Sequence, residues 1–314
     1  MPLAPHARAT LQIHFCVLLW GFTPILGKLI SLTALPLVWW RMLLVTVTLA
    51  LLPRVWKGLR ALPARMLWGY AGIGALVSLH WLTFYGAVKL ANASVAATCI
   101  ALAPACTSVI EPWLAKRPFS PKELFFGVAT RPGVALVVGG VPVGMRAGVA
   151  VGALSALLVA VFGSLNKRMV EGAEPLTVTA LELGSGTVLL TLLAPLMPWI
   201  FPDFAGDLLV LPSLRDAAFL LTLSLACTLL PFALSLVALR HLSAYGVQLI
   251  TNLEPVYAIA LAMLLFGEQR ELTSQFYLGV AIILTAVFLQ PLVGRRRVQH
   301  PEVLGTSESH HIVD

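Results

Sequence analysis

At 314 residues, with 59% hydrophobic and only 11% charged side chains, the chain has no reading as a soluble domain. Its net charge of +7 is scattered through short segments between apolar stretches, which marks membrane topology and excludes a nucleic-acid surface. The loops leave no room for a soluble catalytic domain.

Ten apolar stretches follow in chain order, at 11–30, 35–53, 67–88, 92–114, 123–142, 148–166, 177–199, 217–239, 245–266 and 275–293. An α-helix rises about 1.5 Å per residue, so roughly 20 apolar residues cross the hydrocarbon core. Backbone in lipid must satisfy its own hydrogen bonds, and segments of this length do so as helices. The expected fold is therefore an all-α polytopic membrane protein with ten transmembrane helices. The first stretch is too long for a signal-peptide core and no small-residue cleavage site follows it, so it reads as an uncleaved span.

Lys and Arg set the orientation. With the N-terminus inside, the cytoplasmic segments carry Arg8, then Arg54, Lys57, Arg60 and Arg65, then Lys116, Arg117 and Lys122, then Lys167 and Arg168, then Arg240, then Arg295, Arg296 and Arg297. The outer segments carry only Lys89, Arg146, Arg215 and Arg270. Both termini are expected in the cytoplasm. The tail 294–314 is polar and reads as disordered, with His310 and His311 forming no metal site alone. Cys16, Cys99, Cys106 and Cys227 lie within spans and show no metal spacing, so they read as small core residues.

The chain also resembles itself. Ala87-Val88-Lys89-Leu90 ends the third span much as Ala238-Leu239-Arg240-His241 ends the eighth, and the same spacing carries Pro104 onto Pro255. With one residue of slip, Gly127 falls on Gly279. Two five-helix halves, 11–142 and 148–293, follow from this. An odd number of helices per half inverts the second copy, a device of transporters that bind substrate near mid-membrane between the halves.

Charged groups deep in lipid are costly and mark function or pairing. Glu254 lies near the middle of the ninth span, before Pro255, which frees a backbone carbonyl and suits a kinked, cavity-lining helix. It could take a proton or a substrate ammonium, or bond structurally through Thr251 or Asn252. Glu111, Glu182 and Arg131 are coupling or gate candidates. Glu111 is shallower, with Lys116 and Arg117 nearby, and favours an ion pair or gate contact. Arg131 can neutralise such a carboxylate or reach toward the cytoplasm. Lys28 and Arg41 read as interfacial anchors, with an outer gate the sharper alternative. His80 and Trp81 read as pocket residues, and Tyr85 as an interface anchor. Ser94, Thr98, Ala101, Ala105 and Ser108 make a small-residue stripe for close helix packing. Trp20 and Tyr257 complete the expected substrate-binding set of Glu254, His80, Trp81, Thr251 and Asn252. No H-E-x-x-H, Walker A or metal cluster occurs, and Gly184-Ser185-Gly186 lacks the spacing of a nucleophile motif. The chain is not read as an enzyme and no cofactor or metal is expected. Without an ATP site, uphill transport would need an ion gradient, with a proton as the candidate coupling ion.

Three stretches resemble the EamA-type transporters of the drug/metabolite transporter superfamily. They are Trp20-Gly21-Phe22-Thr23-Pro24 with Lys28, His80-Trp81 through Asn92-Ala93-Ser94-Val95, and Asn252-Leu253-Glu254-Pro255-Val256 running to Leu265-Phe266-Gly267-Glu268. The resemblance spans residues 11–293. It implies two inverted five-helix repeats in a cytoplasmic membrane and a central cavity lined by helices 1, 3, 4, 6, 8 and 9. It also implies movement of amino acids, other small metabolites or drugs, often outward. Arg131-Pro132 departs from the usual apolar helix 5. The expected function is a secondary transporter exporting small metabolites such as amino acids. The alternatives are a cation or drug exporter, and a polytopic membrane enzyme.

Overall fold

The computed structural model describes residues 4–293. The tail expected at 294–314 lies outside the described residues. Every regular element among them is helical. The long helices are α1 (Pro5–Leu29), α2 (Ala34–Ala50), α3 (Ala64–Leu90), α4 (Ala93–Leu114), α5 (Pro121–Gly140), α6 (Val143–Met169), α7 (Pro175–Leu193), α8 (Leu214–Leu239), α9 (Ala244–Phe266) and α10 (Ser274–Val293). Eight of them are long and apolar enough to cross a membrane by themselves, and α2 becomes a ninth when joined to the short helix that follows it. The last, α10, is apolar over Ser274–Ala286.

The second span ends earlier than its apolar pattern suggests. At Pro53 the chain turns by 92° into the helix Pro53–Ala61. Its Arg54, Lys57 and Arg60 are exposed while Val55 is buried. Three cations in two turns cannot enter hydrocarbon, so the helix lies across the bundle end with its apolar face inward. Large exposed side chains elsewhere suit a lipid-facing surface. Trp68 and Trp113 stand out near one end of the bundle and Trp199 and Phe201 near the other, where indole and aromatic rings favour the interface.

Several spans are broken rather than straight. Regular helix stops at Gly21–Phe22 in α1, at Ala101–Leu102 in α4, at Thr130 in α5 and at Asn252–Leu253 in α9. Pro24, Pro104, Pro132 and Pro255 each follow a break at the second residue of the new half-helix. Proline has no N–H to give the preceding turn and its ring clashes there, so the helix restarts. In α8, residues Thr222–Leu229 form a π-helical turn ahead of Pro231.

Cross-helix caps fix the ends. Lys89, ending α3, donates to the carbonyl of Ile30 after α1 at 2.6 Å, and Lys167, near the end of α6, donates to that of Leu239 ending α8 at 2.6 Å. A cation at a helix C-terminus meets the unpaired carbonyls and the negative end of the dipole. The α5 and α10 helices touch backbone to backbone. A Cβ on Gly133 would lie 2.7 Å from the Gly279 carbonyl oxygen, so only glycine allows the approach.

Candidate functional site

Broken and continuous helices together surround a central cavity with about 100 Å³ of space for the centres of water molecules. Each water needs roughly 10–15 Å³ by that measure, so the cavity holds several. Its walls come from α1, α2, α3, α4, α6, α8 and α9. It runs from the helix centres, at Thr23, Trp81 and Glu254, toward the end of the bundle that holds Leu239 and Ala244.

A carboxyl and a guanidinium face this space. Glu254 opens the second half of α9, where the first turn's free N–H groups favour a carboxylate. It is 6% exposed, and its carboxylate makes no hydrogen bond to another described residue. Arg41, from α2, is 3% exposed. Its Nε donates to Thr228 Oγ1 at 2.5 Å and its Nη1 to the Tyr85 hydroxyl at 2.9 Å. The guanidinium carbon lies 3.9 Å from the centre of the Trp81 ring. The π-helical turn of α8 presents Thr228 to Arg41, a geometric reason for that irregularity. Both line the same cavity, and no direct ion pair joins Arg41 and Glu254 among the described residues.

Aromatic rings line the rest. Trp81 meets Phe232 edge-on with centroids 6.0 Å apart, and His80 lies 5.4 Å from Phe162. His80 is tied to α6, with its Nδ1 2.9 Å from the Ser155 carbonyl oxygen and 2.8 Å from Ser155 Oγ. Ser155 Oγ donates to the His80 carbonyl at 2.9 Å, so a proton on Nδ1 satisfies the whole set and leaves Nε2 as the ring acceptor. Gln248, Ser235 and Asn166 add polar groups to the wall.

Each end of the bundle carries a buried carboxylate. Glu111, 1% exposed, accepts the N–H groups of Ala244 and Tyr245 that open α9, both at 2.8 Å. Arg117 Nε stands 3.5 Å from it and also pairs with Glu123. At the other end Gly267 takes the left-handed conformation, φ 67°, that ends α9 and turns Glu268 back. Glu268 accepts from Ser94 N at 2.9 Å, Ala93 N at 3.2 Å, Ser94 Oγ at 2.6 Å and Lys28 Nζ at 2.7 Å.

Among the comparisons with known proteins, the profile of the EamA-like transporter family matches residues 8–139 and again 146–290. The chain belongs to the EamA-like transporter family. No curated protein matches the sequence. A solved structure, described only as a crystal structure of a protein, superposes with a TM-score of 0.65 over 92% of this chain and 99% of its own, at 16% identity. That likeness speaks to the fold alone.

Of the residues expected to bind substrate in this EamA-like transporter, Glu254, His80, Trp81, Trp20 and Thr251 line the cavity together. Asn252 and Tyr257 do not. Asn252 is fully buried beside the break in α9 with neither amide atom hydrogen-bonded. Tyr257 is 37% exposed and packs against the α1 break at Gly21. Thr251 donates to the Val247 carbonyl and leaves Glu254 free of it. Of the coupling candidates, Glu111 holds the end of α9, Glu182 lies behind the cavity wall on α7, and the side chain of Arg131 lies outside what the structure describes.

Two anchor readings are corrected. Arg41 and Tyr85 are buried at 3% and 0% and bond to each other, because their spans present those faces to the bundle and not to lipid. Lys28, 30% exposed, pairs with Glu268 at the bundle end, which is compatible with an anchor at that interface. Arg41 also adds α2 to the expected set of cavity helices. Its signal was in the sequence as a cation within a span, but hydropathy gives no face.

Proposed function

We propose that this EamA-like transporter is a secondary exporter of a small zwitterionic metabolite, with amino acids the first candidates. The observation that carries this reading is the placement of Arg41 and Glu254 on one cavity. An α-amino acid bears a carboxylate and an ammonium a few bonds apart. Arg41 offers hydrogen-bond donors to the former and Glu254 an acceptor to the latter. The rings of Trp20, Trp81, Phe84 and Phe232 can then cover an apolar side chain. A buried site that pairs both charges rejects molecules lacking either, since the unmatched group would stay unpaired.

The remaining features follow from the same reading. Ten helices cross the cytoplasmic membrane as two inverted repeats, 11–142 and 148–293, with both termini in the cytoplasm. The basic residues put the Glu111 end of the bundle on the cytoplasmic side. The cavity runs toward that end, so it would load from inside, which supports export by alternating access. Membership of a transporter family supports transport in place of catalysis.

A second reading, export of an organic cation, has the aromatic walls and Glu254 in its favour. Arg41 opposes it, because a bound cation would face a fixed guanidinium. Counterflow in proteoliposomes, with a panel of labelled amino acids and organic cations, tests both. Exchange of at least one amino acid supports the proposal. Exchange confined to cations would establish the second reading.

A further inference from the structure

Asn166 on α6 lines the cavity, yet its amide reaches away from it toward a second buried carboxylate. Its Nδ2 donates to Glu182 Oε2 on α7 at 3.3 Å. Glu182 is 0% exposed and Asn166 2%. Two atoms of this pair have no hydrogen-bond partner, Glu182 Oε1 and Asn166 Oδ1. An ionised carboxylate and a primary amide oxygen are both acceptors, so neither can satisfy the other.

No cation compensates the charge among the described residues. From α3 the titratable neighbour is Tyr70, whose hydroxyl is committed to the Met169 carbonyl at 2.6 Å. From α2, Met42 and Thr46 face α7, while Arg41 is held by Thr228 and Tyr85. The helix Pro53–Ala61 brings Gly58 against Thr177 and keeps its basic residues exposed. Beyond the end of α8, Arg240 donates to the Ala173 carbonyl, and on α6 Lys167 donates to that of Leu239. An isolated charge so placed costs several kcal/mol, and each orphaned polar atom adds to it.

One proton removes both difficulties. A neutral Glu182 carries O–H on Oε1, which donates to Asn166 Oδ1 while Asn166 Nδ2 donates to Oε2. The result is a closed acid–amide ring with two hydrogen bonds and no net charge. We infer that Glu182 and Asn166 form the proton-binding site of this transporter, one residue behind the cavity wall and separate from Arg41 and Glu254. When the pair opens, the Oε1–H bond breaks toward cavity water, leaving a carboxylate and a hydrated proton. Uptake reverses the step. Two side-chain oxygens are too few to replace the water shell of a metal cation, which favours the proton. The link to transport rests on the function proposed above. The protonated state does not.

The test is infrared difference spectroscopy of the full-length protein in lipid between neutral and alkaline pH. Glu182→Gln places an amide where the neutral acid stood and can close the same ring, so it should fold. The wild type should show a carbonyl band of a protonated carboxylic acid at neutral pH that E182Q lacks and E254Q retains. Asn166→Ala should shift that band without abolishing it. Removal of no acid band by E182Q overturns the assignment, and so does a band that E182Q removes but N166A leaves unshifted. So does a rise in thermal stability on replacing choline with sodium that disappears in E182Q, which would make this a cation site. In proteoliposomes showing amino-acid counterflow, a pH gradient should drive accumulation in the wild type and none in E182Q. Absence of flux in the wild type would refute the transporter reading and leave the infrared result to stand or fall alone.

Discussion

Glu111, in the last turn of α4, receives the N–H groups that open α9, and Glu268, just past the end of α9, receives those that open α4. The two helices thus exchange caps at opposite ends of the bundle. Each carboxylate also stands by one cation, Arg117 and Lys28 respectively. A charged acceptor on free N–H groups is among the stronger local contacts available, and burial strengthens it. The exchange holds α4 and α9 together at both ends while their broken middles line the cavity.

This arrangement predicts opposite effects of two single changes. Glu111→Gln and Glu268→Gln each set an amide NH2 against one of the capped N–H groups, costing about 1–3 kcal/mol. Both should lower the thermal midpoint in detergent. A single cysteine at Gln248 should gain reactivity from the Glu111 side in E111Q and lose it in E268Q. Equal labelling in both would show that the caps do not govern access.

Trp81 forms the floor beneath Arg41. Trp81→Ala removes a cation–π contact of about 0.5–2 kcal/mol and part of the apolar wall. Substrate affinity should fall by about tenfold with folded yield preserved, read as the half-saturating concentration in counterflow. Loss of folded protein with normal transport by the remainder would make Trp81 a packing residue.

Ser155→Ala strips both the donor to the His80 carbonyl and a partner of Nδ1. The expected cost is about 1–3 kcal/mol of stability. Affinity should weaken as the ring loses its fixed tautomer, and Ser155→Thr should recover both, since the hydroxyl remains. Failure of threonine to rescue would assign the effect to steric packing instead.

The spans could be read from sequence because length and apolarity alone decide whether a segment suits a bilayer, and the breaks because proline marks them. The depth of Glu254, His80 and Trp81 was legible, and all three line the cavity. What could not be read was facing. Arg41 and Tyr85 looked like anchors near a helix end, since nothing local shows that both turn inward toward Thr228. Glu268 lies beyond its span, and only the left-handed turn at Gly267 sends it back onto α4. The Asn166–Glu182 pair joins two helices whose relative rotation no periodicity reveals. The basic cluster at Arg54, Lys57 and Arg60 was read for topology alone, although Val55 and Leu59 already gave that helix an apolar side.

Topology has its own check. Reporter fusions after the C-terminus and within 200–216 should report opposite sides of the membrane, with the C-terminus cytoplasmic. Agreement between the two reporters would refute the ten-span arrangement.

The central claim is that Arg41 and Glu254 together recognise a zwitterion. The most direct measurement is the thermal shift of the purified protein with a transported amino acid, its decarboxylated amine and its deaminated acid. A ligand that binds the folded state raises its apparent stability in proportion to log concentration over Kd. The account predicts stabilisation by the amino acid alone in the wild type, lost in both Arg41→Gln and Glu254→Gln. Stabilisation by the amine as strong as by the amino acid, unchanged in R41Q, would contradict it.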